Sequence, residues 1–245
     1  MNSLLKFILP VKIFHFLRKI KYFFLTSHFT KSYAQDGEDL ILRSFFYNKP
    51  KGFYIDIGAH HPKRFSNTYH FYKIGWIGMN VDAMPGSMKA FNKIRSRDIN
   101  IEAAVSDVQH KLRYYMFNEP AFNGFSKTLS DKVNNDDRFF IEDIIDIETI
   151  TLEKLLDQYL ENNQEIDFLS IDVEGLDFKV LKSNNFLKYR PIVICVEIQK
   201  PSFDDIQTDE ISIYLKTFDY EICAKTFNSV FFIQKDYYYS MKQIV

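Results

Sequence analysis

The stretch Phe53-Tyr54-Ile55-Asp56-Ile57-Gly58-Ala59-His60 decides the fold of this chain. It is an apolar run that ends in an acid and a glycine, a pattern typical of a buried strand that opens onto a ligand. Two later segments repeat the plan, Gly78-Met79-Asn80-Val81-Asp82 and Phe168-Leu169-Ser170-Ile171-Asp172. Open α/β sheets bind their ligands at the carboxyl ends of their strands. The three final aspartates are therefore expected to meet at a nucleotide site.

Strand-like and helix-like segments alternate after residue 31, and this order predicts an α/β fold with a mostly parallel central sheet. The predicted strands are 53–57, 76–82, 100–105, 111–117, 144–150, 168–172 and 192–197. Residues 220–225 and 230–234 predict a final antiparallel hairpin. Ser32 and Gln35 resemble a capping box that would start a helix, and Thr151 is the predicted N-cap of a helix over 152–160. Residues 176–181 predict the helix between the last two parallel strands.

The formal net charge of -1 conceals an uneven distribution. Residues 1–31 contain no acid and carry six basic residues, Lys6, Lys12, Arg18, Lys19, Lys21 and Lys31. The rest of the chain is acidic, and a nucleic-acid-binding body would need a positive face. The sequence therefore predicts a basic arm over 1–31, a catalytic domain over 32–245 and no nucleic acid partner.

The arm has the periodicity of an amphipathic helix that begins near Pro10. The apolar positions of its stripe are Ile13, Phe16, Leu17, Ile20, Phe23 and Phe24. Its charges interrupt the run of about 20 apolar residues that a spanning helix needs, and no secretory signal is predicted. Two interpretations stay open: peripheral contact with an anionic membrane, or packing on the domain or on a second subunit of a homo-oligomer.

Only two cysteines occur, Cys195 and Cys223, and neither has the spacing of a metal ligand. Such a pair is typical of buried thiols in a reducing compartment. The sequence therefore predicts a cytoplasmic protein. With the basic arm, a peripheral position at the inner face of the membrane is also expected.

Four segments, in this order, resemble the FkbM-type methyltransferases over roughly residues 32–200. They are SYAQDGEDLIL (32–42), YIDIGAHHP (54–62), AAVSD (103–107) and SIDVEGLDFKVL (170–181). The resemblance implies a Rossmann-like class I methyltransferase fold, with helices on both faces of the sheet, and S-adenosylmethionine as the methyl donor. It implies a hydroxyl of a sugar or glycan precursor as the acceptor. It also implies that Gln35, Asp36 and Glu38 border the donor pocket, although the two acids also suit a helix N-terminus.

Each part of such a donor has a candidate partner at a strand end. Gly58, with Asp56 and Ala59 beside it, would let the backbone approach the amino-acid tail, because glycine has no Cβ. Asp82 could accept both ribose hydroxyls, as an acid in that place does in dinucleotide folds. Asp107 could reach the adenine amino group.

The proton of an acceptor hydroxyl must be removed as the methyl group is transferred. Asp172 and Glu174 stand at the mouth of the fourth parallel strand, and mutual repulsion could raise one pKa to a useful value. We expect Asp172 to orient the donor or the acceptor and Glu174 to be the base. His60 is a second candidate base, and the alternative for Glu174 is that it caps the following helix.

The acceptor is expected near the polar loop 118–137. The resemblance implies that Asn123 and Ser126 hydrogen-bond its hydroxyls there, although a simple turn explains the same letters. His61, which could bind a phosphate, and Glu197 complete the predicted acceptor contacts. No metal is predicted, because no spacing demands one, although Asp172 and Glu197 leave an oxygen-ligated cation open.

The leading interpretation is therefore an O-methyltransferase. A non-catalytic, membrane-associated subunit of a glycan-assembly complex is the first alternative. A dinucleotide-dependent oxidoreductase is disfavoured, because its fingerprint needs three glycines in the first strand-to-helix turn. That turn, residues 58–63, has one.

Overall fold

The computed structural model of the protein describes residues 10–25, 30–161 and 163–242. The chain divides into two units, Met1–Ser32 and Tyr33–Val245, each described by itself. In the first unit, helix α1 (Val11–Leu25) follows Pro10, as its periodicity predicts. Four apolar side chains of its first turns, those of Val11, Ile13, Phe16 and Leu17, are exposed. The side chains of Ile20, Phe23 and Phe24 lie outside the described ones. Within the described ranges, no helix has the length and apolar character needed to cross a membrane.

The second unit alternates strands and helices. Its strands are β1 (Phe53–Ile57), β2 (Ile77–Asp82), β3 (Ile99–Glu102), β4 (Ala104–Val105), β5 (Lys111–Phe117), β6 (Ile141–Ile150), β7 (Phe168–Ile171), β8 (Val193–Glu197), β9 (Tyr220–Lys225) and β10 (Ser229–Gln234). Its helices are α2 (Glu38–Phe45), α3 (Tyr69–Lys73), α4 (Met88–Ile94), α5 (Lys127–Val133), α6 (Leu152–Tyr159), α7 (Asp177–Lys182), α8 (Phe203–Gln207), α9 (Glu210–Lys216) and α10 (Lys235–Lys242), with a short 3-10 helix at Pro120–Phe122.

In the described chain, seven strands form the main sheet in the order β3-β2-β1-β7-β8-β10-β9. The first five run parallel, and β10 pairs antiparallel with both β8 and β9. This arrangement confirms the predicted α/β fold with a mostly parallel sheet and a final hairpin. It brings the ends of β1, β2, β7 and β8 to one edge.

Both faces of the sheet are covered, as all-parallel strands require. Ile55 and Ile57 belong to a core that includes Leu155 of α6 and Val180 of α7. Tyr54, on the opposite face, packs in a second core with Leu42 of α2, and with further apolar side chains of α3. Alternate residues of one buried strand therefore serve two separate cores.

The predicted strand over 100–105 is wrong as a single element. The main sheet ends with β3, and β4 pairs instead with β6 in a separate sheet of order β4-β6-β5. Ala103 stands at the break, where its N–H donates to the carbonyl of Asp82 at 3.0 Å. That bond fixes the point at which the chain leaves the main sheet.

The predicted capping box at Ser32 and Gln35 is also wrong. Helix α2 begins at Glu38, and Gly37 occupies its N-cap without any side-chain acceptor. Acids of the first turn reach back instead: Glu38 accepts from the N–H of Asp36, and Asp39 from that of Tyr33. The predicted N-cap Thr151 is confirmed, since its hydroxyl accepts from the N–H of Lys154.

A buried arginine ties β1 to the end of α4. Arg95 is fully buried, and its guanidinium donates to Asp98 at 2.8 Å, to Thr68 at 2.9 Å and to the hydroxyl of Tyr54 at 2.7 Å. Thr68 in turn donates to Asp56 at 2.8 Å. Because a buried charge needs partners on every side, this network holds the segments that flank β1 in one arrangement.

Candidate active site

A cavity lies where β1, β2, β7 and β8 end. The space that it encloses, with its open mouth included, is about 1110 Å³. The predicted site residues that line it are Gln35, Asp36, Glu38, Gly58, His60, Asp82, Asn123, Asp172, Glu174 and Glu197. Those that do not line it are Asp56, Ala59, His61, Asp107 and Ser126.

Gly58 makes the closest backbone approach at this edge. Its φ of +86° lies in the left-handed region, and a Cβ added to it would overlap the carbonyl oxygen of Asp172. The N–H groups of Gly58 and Ala59 both donate to the carbonyl of Val81, at 2.9 and 3.0 Å. The turn after β1 is therefore wedged between the ends of β7 and β2, and only glycine fits there.

Asp82 lies at the end of β2, where its carboxylate is fixed by two hydrogen bonds and can still accept others. One carboxylate oxygen accepts from the N–H of His60 and the other from that of Met84, both at 2.8 Å. Burial raises the pKa of the Asp82 carboxyl, and these two N–H groups oppose that shift. A carboxylate has about four lone-pair sites, so two more donors, such as a pair of ribose hydroxyls, can still be accepted.

His60 occupies the same turn in a strained conformation. Its φ is +51°, and its Nε2 is buried without a hydrogen-bond partner among the described residues. Burial, with the positive charge of Arg64, lowers the pKa of its imidazole. At neutral pH the ring is therefore uncharged and has one nitrogen free to accept a proton.

Two predicted donor contacts turn away from the cavity. Asp56 is buried and accepts from Thr68, and burial raises its pKa although Arg95 acts in the opposite direction. Ala59 packs in a small apolar cluster with Met88 and Phe91 of α4. Both residues thus support the turn after β1 from behind.

Three other predicted contacts are engaged in local structure. The Nδ1 of His61 accepts from the N–H groups of Lys63 and Arg64, which closes a turn of its own loop. Ser126 is the N-cap of α5 and accepts from the N–H of Leu129. Asp107 accepts from the hydroxyl of Ser106 at 3.2 Å.

Three carboxyl groups gather at the ends of β7 and β8. The pKa of Asp172 is raised well above its ordinary value. Burial is the largest cause, and repulsion from Glu197 and Glu174 adds to it. Burial, Glu197 and Asp177 raise the pKa of Glu174 to about 8. Burial also raises the pKa of Glu197, although Gln199 donates to it at 2.7 Å. The region therefore binds protons more readily than free carboxylates do.

The backbone after β7 aims Glu174 at the cavity. Glu174 has a φ of +50°. The alternative that it caps α7 is not observed, because Leu176 is the N-cap and Asp177 accepts from the N–H groups of Val173 and Gly175. The Glu174 carboxyl is consequently left for the cavity.

The polar loop 118–137 covers this carboxyl from one side. A Cβ on Gly124 would lie 2.7 Å from the Cβ of Glu174, and one on Gly175 would lie 2.9 Å from the Cβ of Ser126. Asn123 accepts from the N–H of Phe117 at 2.7 Å, which anchors the loop to β5. The loop thus packs directly on the β7 end, as a lid does.

The turn between β9 and β10 forms the opposite wall. Glu38 accepts from Thr226 at 2.9 Å and from Ser229 at 3.3 Å, and Asp36 accepts from Asn228 at 3.1 Å. The segment before α2 and the final hairpin are thereby joined at the cavity. Acids near the start of the domain and residues near its end line one wall.

The charged side chains that line the described cavity are acidic. Of the described residues that line it, six are acids and none is Lys or Arg. No three His, Cys, Asp or Glu side chains in the described ranges are grouped as metal ligands. The arrangement suits a ligand with positive charge and several hydrogen-bond donors.

Comparison with known families gives one match. The family model described as Methyltransferase FkbM domain matches residues 56–222, more than half of the chain. The protein belongs to the FkbM methyltransferase family. The resemblance inferred from the four motifs is thus confirmed, and methyl transfer is the reaction class. No curated protein matches the chain.

The family match covers most of the cavity but not all of it. It begins at Asp56 and includes the strand ends from Gly58 to Glu197, with the lid between them. The wall built from Gln35, Asp36 and Glu38 precedes the match, and the wall residues Asn228 and Ser229 follow it. One side of this methyltransferase cavity is therefore assembled from both flanks of the matched segment.

Sequence reasoning missed several cavity residues. Those that add polar or aromatic surface are Phe65, Asn67, Tyr114, Asn228 and Ser229. Asn67 donates to Ser170 at 3.0 Å, and Phe125 packs on the ring of Tyr114 at 4.8 Å. The nearest signal was the polar turn 226–229, which marks a hairpin but does not reveal that the turn reaches the strand ends.

Two glycines test the backbone approach at Gly58. Gly58→Ala and Gly86→Ala both place a methyl group on left-handed backbone, at φ +86° and +80°, but Gly86 has only Lys89 nearby, at 3.9 Å. Both variants should lose about 1–2 kcal/mol from left-handed strain. Gly58→Ala should lose roughly 1–3 kcal/mol more from overlap with Asp172. Urea unfolding measures both, and equal losses would show that the approach is not tight.

The raised pKa of Glu174 makes stability depend on pH. The pKa of Glu174 is about 8 in the folded protein, which exceeds the ordinary Glu value. Its contribution to the free energy of unfolding is therefore complete below the ordinary Glu pKa and is lost as the pH rises through about 8. Glu174→Gln should flatten the free energy of unfolding between about pH 5 and pH 8 relative to the wild type. Glu142→Gln, an exposed matched control, should leave the curve unchanged. Parallel curves for all three proteins would contradict the assignment.

Proposed function

We propose that this methyltransferase takes its methyl group from S-adenosylmethionine and transfers it to a hydroxyl of a sugar or glycan precursor. The observation that carries the donor proposal is the cavity itself, in which Gly58 and Asp82 stand beside a set of carboxylates without Lys or Arg. The acceptor class rests on the family and is the weaker association, since one fold serves many substrates.

The cavity residues fit the parts of this donor. The two remaining acceptor positions of Asp82 match a pair of ribose hydroxyls, and the bare backbone at Gly58 leaves room for the amino-acid tail. The carboxylates favour a ligand with a sulfonium and an ammonium group. A dinucleotide, whose pyrophosphate carries negative charge, would instead be repelled, which argues against the oxidoreductase alternative.

When bound, S-adenosylmethionine supplies an electrophilic methyl group that is already activated by positive charge. The protein then has to align the acceptor oxygen, exclude water and remove one proton. In this proposal Asp82 and the backbone at Gly58 position the donor. Asp172 orients the donor or the acceptor from the neighbouring strand end.

Glu174 is the proposed base. With a pKa of about 8, roughly a tenth of the carboxyl is ionised at pH 7, and this ionised form takes a proton readily. The close contact between Gly124 of the lid and the side chain of Glu174 supports a role for this carboxyl near the acceptor. His60 is the second candidate, because its uncharged ring has a buried, unpartnered Nε2.

The remaining acceptor contacts are proposed on position alone. Asn123 in the lid and Glu197 at the end of β8 line the cavity beyond Glu174 and would bind acceptor hydroxyls. Ser126 and His61 would act through the loops that they stabilise. We place the reaction in the cytoplasm, and a homo-oligomer is compatible with it.

Calorimetric titration tests the donor proposal. The wild type should release binding heat with S-adenosylmethionine, and Asp82→Ala should weaken binding at least about tenfold by losing the ribose acceptors. Asp107→Asn is the control, because Asp107 does not line the cavity, and its affinity should match the wild type. A folded wild type that gives no heat would refute the donor. Donor binding without methyl transfer to any glycan in a cell extract would favour the non-catalytic subunit.

We also propose that the basic arm, residues 1–31, lies on the surface of an anionic membrane. Four of its described apolar side chains are exposed, among them Phe16 by 63% and Val11 by 71%, and the arm contains six basic residues and no acid. Such a helix buries its apolar face among the headgroups while its cations contact anionic lipid. Reaction with membrane-attached glycan precursors would then be favoured.

Vesicle flotation tests the arm. The full chain should float with anionic vesicles and much less with neutral ones, since each basic residue contributes about 1 kcal/mol near such a surface. Lys12→Glu with Lys19→Glu should reduce flotation by at least about tenfold. Lys93→Glu with Lys200→Glu, an exposed pair on the other unit, is the matched control and should float normally. Equal flotation of all three proteins would contradict the interfacial position.

A further inference from the structure

The cavity has an acidic chamber. We define the acidic chamber as Asp36, Glu38, Asp172, Glu174 and Glu197, all of which line the cavity. Three of these acids come from the ends of β7 and β8, and two come from the segment before α2 and its first turn. In the proposed reaction this is the acceptor side, because the lid and Glu174 meet there.

The acids of the chamber are not neutralised by cations. Asp36 accepts from Asn228, Glu38 from Thr226 and Ser229, and Glu197 from Gln199, and all of these donors are neutral. None of the ion pairs formed between described residues includes a chamber acid. The chamber acids that are ionised therefore keep their negative charge.

Three basic groups close in sequence to cavity residues are engaged elsewhere or uncharged. Arg64, which follows the turn after β1, pairs with Glu119 at 3.1 Å. Lys225, at the end of β9, donates to the carbonyls of Thr226 and Phe227, both at 2.9 Å. His60 is uncharged near neutral pH, because burial lowers the pKa of its ring. No Lys or Arg is among the described residues that line the cavity, so the lining supplies no positive side chain for an anionic acceptor group.

Repulsion already acts within the chamber. Burial raises the pKa of Asp172 and that of Glu174, and repulsion from neighbouring carboxyls raises both further. The carboxyl groups therefore oppose one another's ionisation. A further negative charge held among them would meet the same repulsion in a site shielded from bulk water. A hydroxyl, by contrast, donates to a carboxylate, and an ammonium group donates and is attracted.

We propose that the acidic chamber excludes anionic acceptors, so that the substrate is a neutral or amine-bearing hydroxyl compound. A hydroxyl beside a phosphate, a pyrophosphate or a carboxylate is then not methylated. This narrowing rests on the proposed function. In the step itself the acceptor oxygen forms its bond to the methyl carbon, the carbon–sulfur bond breaks with its electron pair left on sulfur, and the acceptor proton passes to Glu174.

The charge of the methylated product tests, during turnover, whether the chamber excludes anionic acceptors. The full-length protein and methyl-labelled S-adenosylmethionine are added to a polar extract of cells that lack the protein, and labelled products are cleaved enzymatically to single units. The labelled unit should pass through an anion exchanger. A labelled unit that is retained would overturn this inference but leave the methyltransferase proposal intact. Absence of label from every fraction would count against the proposed function instead.

A binding measurement tests the chamber without turnover. Glucosamine, glucose and glucuronate differ mainly in charge, and the side-chain amides of Gln35 and Asn228 line the cavity beside the chamber as reporters for nuclear magnetic resonance. Glucuronate should bind at least about tenfold more weakly than glucosamine, with glucose between them or equal to glucosamine. Glucuronate binding as strong as that of glucosamine would overturn the proposal.

Matched variants assign the effect to the chamber. Glu197→Gln and Asp36→Asn each remove one negative charge and should narrow the difference between glucosamine and glucuronate severalfold. Glu210→Gln removes an exposed acid of α9 and should leave the difference unchanged. If the control narrows the difference as much as the chamber variants do, general surface charge is responsible and the proposal fails.

Discussion

The contact between Gly58 and the carbonyl of Asp172 is the constraint on which the site depends. It lets the turn after β1 touch the end of β7, and the same turn donates two N–H groups to Val81 at the end of β2. Three strand ends are thus joined by backbone alone. Since side chains at these ends inherit fixed positions, Asp82 and Glu174 both line one cavity.

Much of the fold follows from local pattern. The strands β1, β5 and β9 have the predicted bounds, because apolar runs or alternation ended clearly at polar or glycine residues. The incorrect predictions depend on tertiary contacts that the local sequence does not show. Nothing local in 100–105 marks the bond from Ala103 to Asp82 that divides this run between two sheets. Likewise, acids inside α2 reach back to earlier N–H groups, so the cap expected at Ser32 is not needed.

Side-chain alternation explains which site residues could be predicted. Gly58, Asp82 and Asp172 stand at or just after strand ends, where the position alone brings them to the ligand edge. Asp56 lies one residue before the end of β1, on the face that meets the Arg95 network, so the same motif placed it wrongly. Asn228 could not be predicted, because its contact with Asp36 joins segments almost the whole domain apart in sequence.

The electrostatics of the cavity link binding to chemistry. Crowded carboxylates are unfavourable, as their raised pKa values reflect, and the proposed cationic donor would relieve that repulsion. In the proposed reaction the cavity loses this attraction at the moment of transfer, because the sulfur becomes neutral and Glu174 gains a proton. The same carboxylates that favour entry of the donor therefore hold its product less tightly. A site built from arginine or lysine would lack this coupling, since its charge would oppose the sulfonium before transfer.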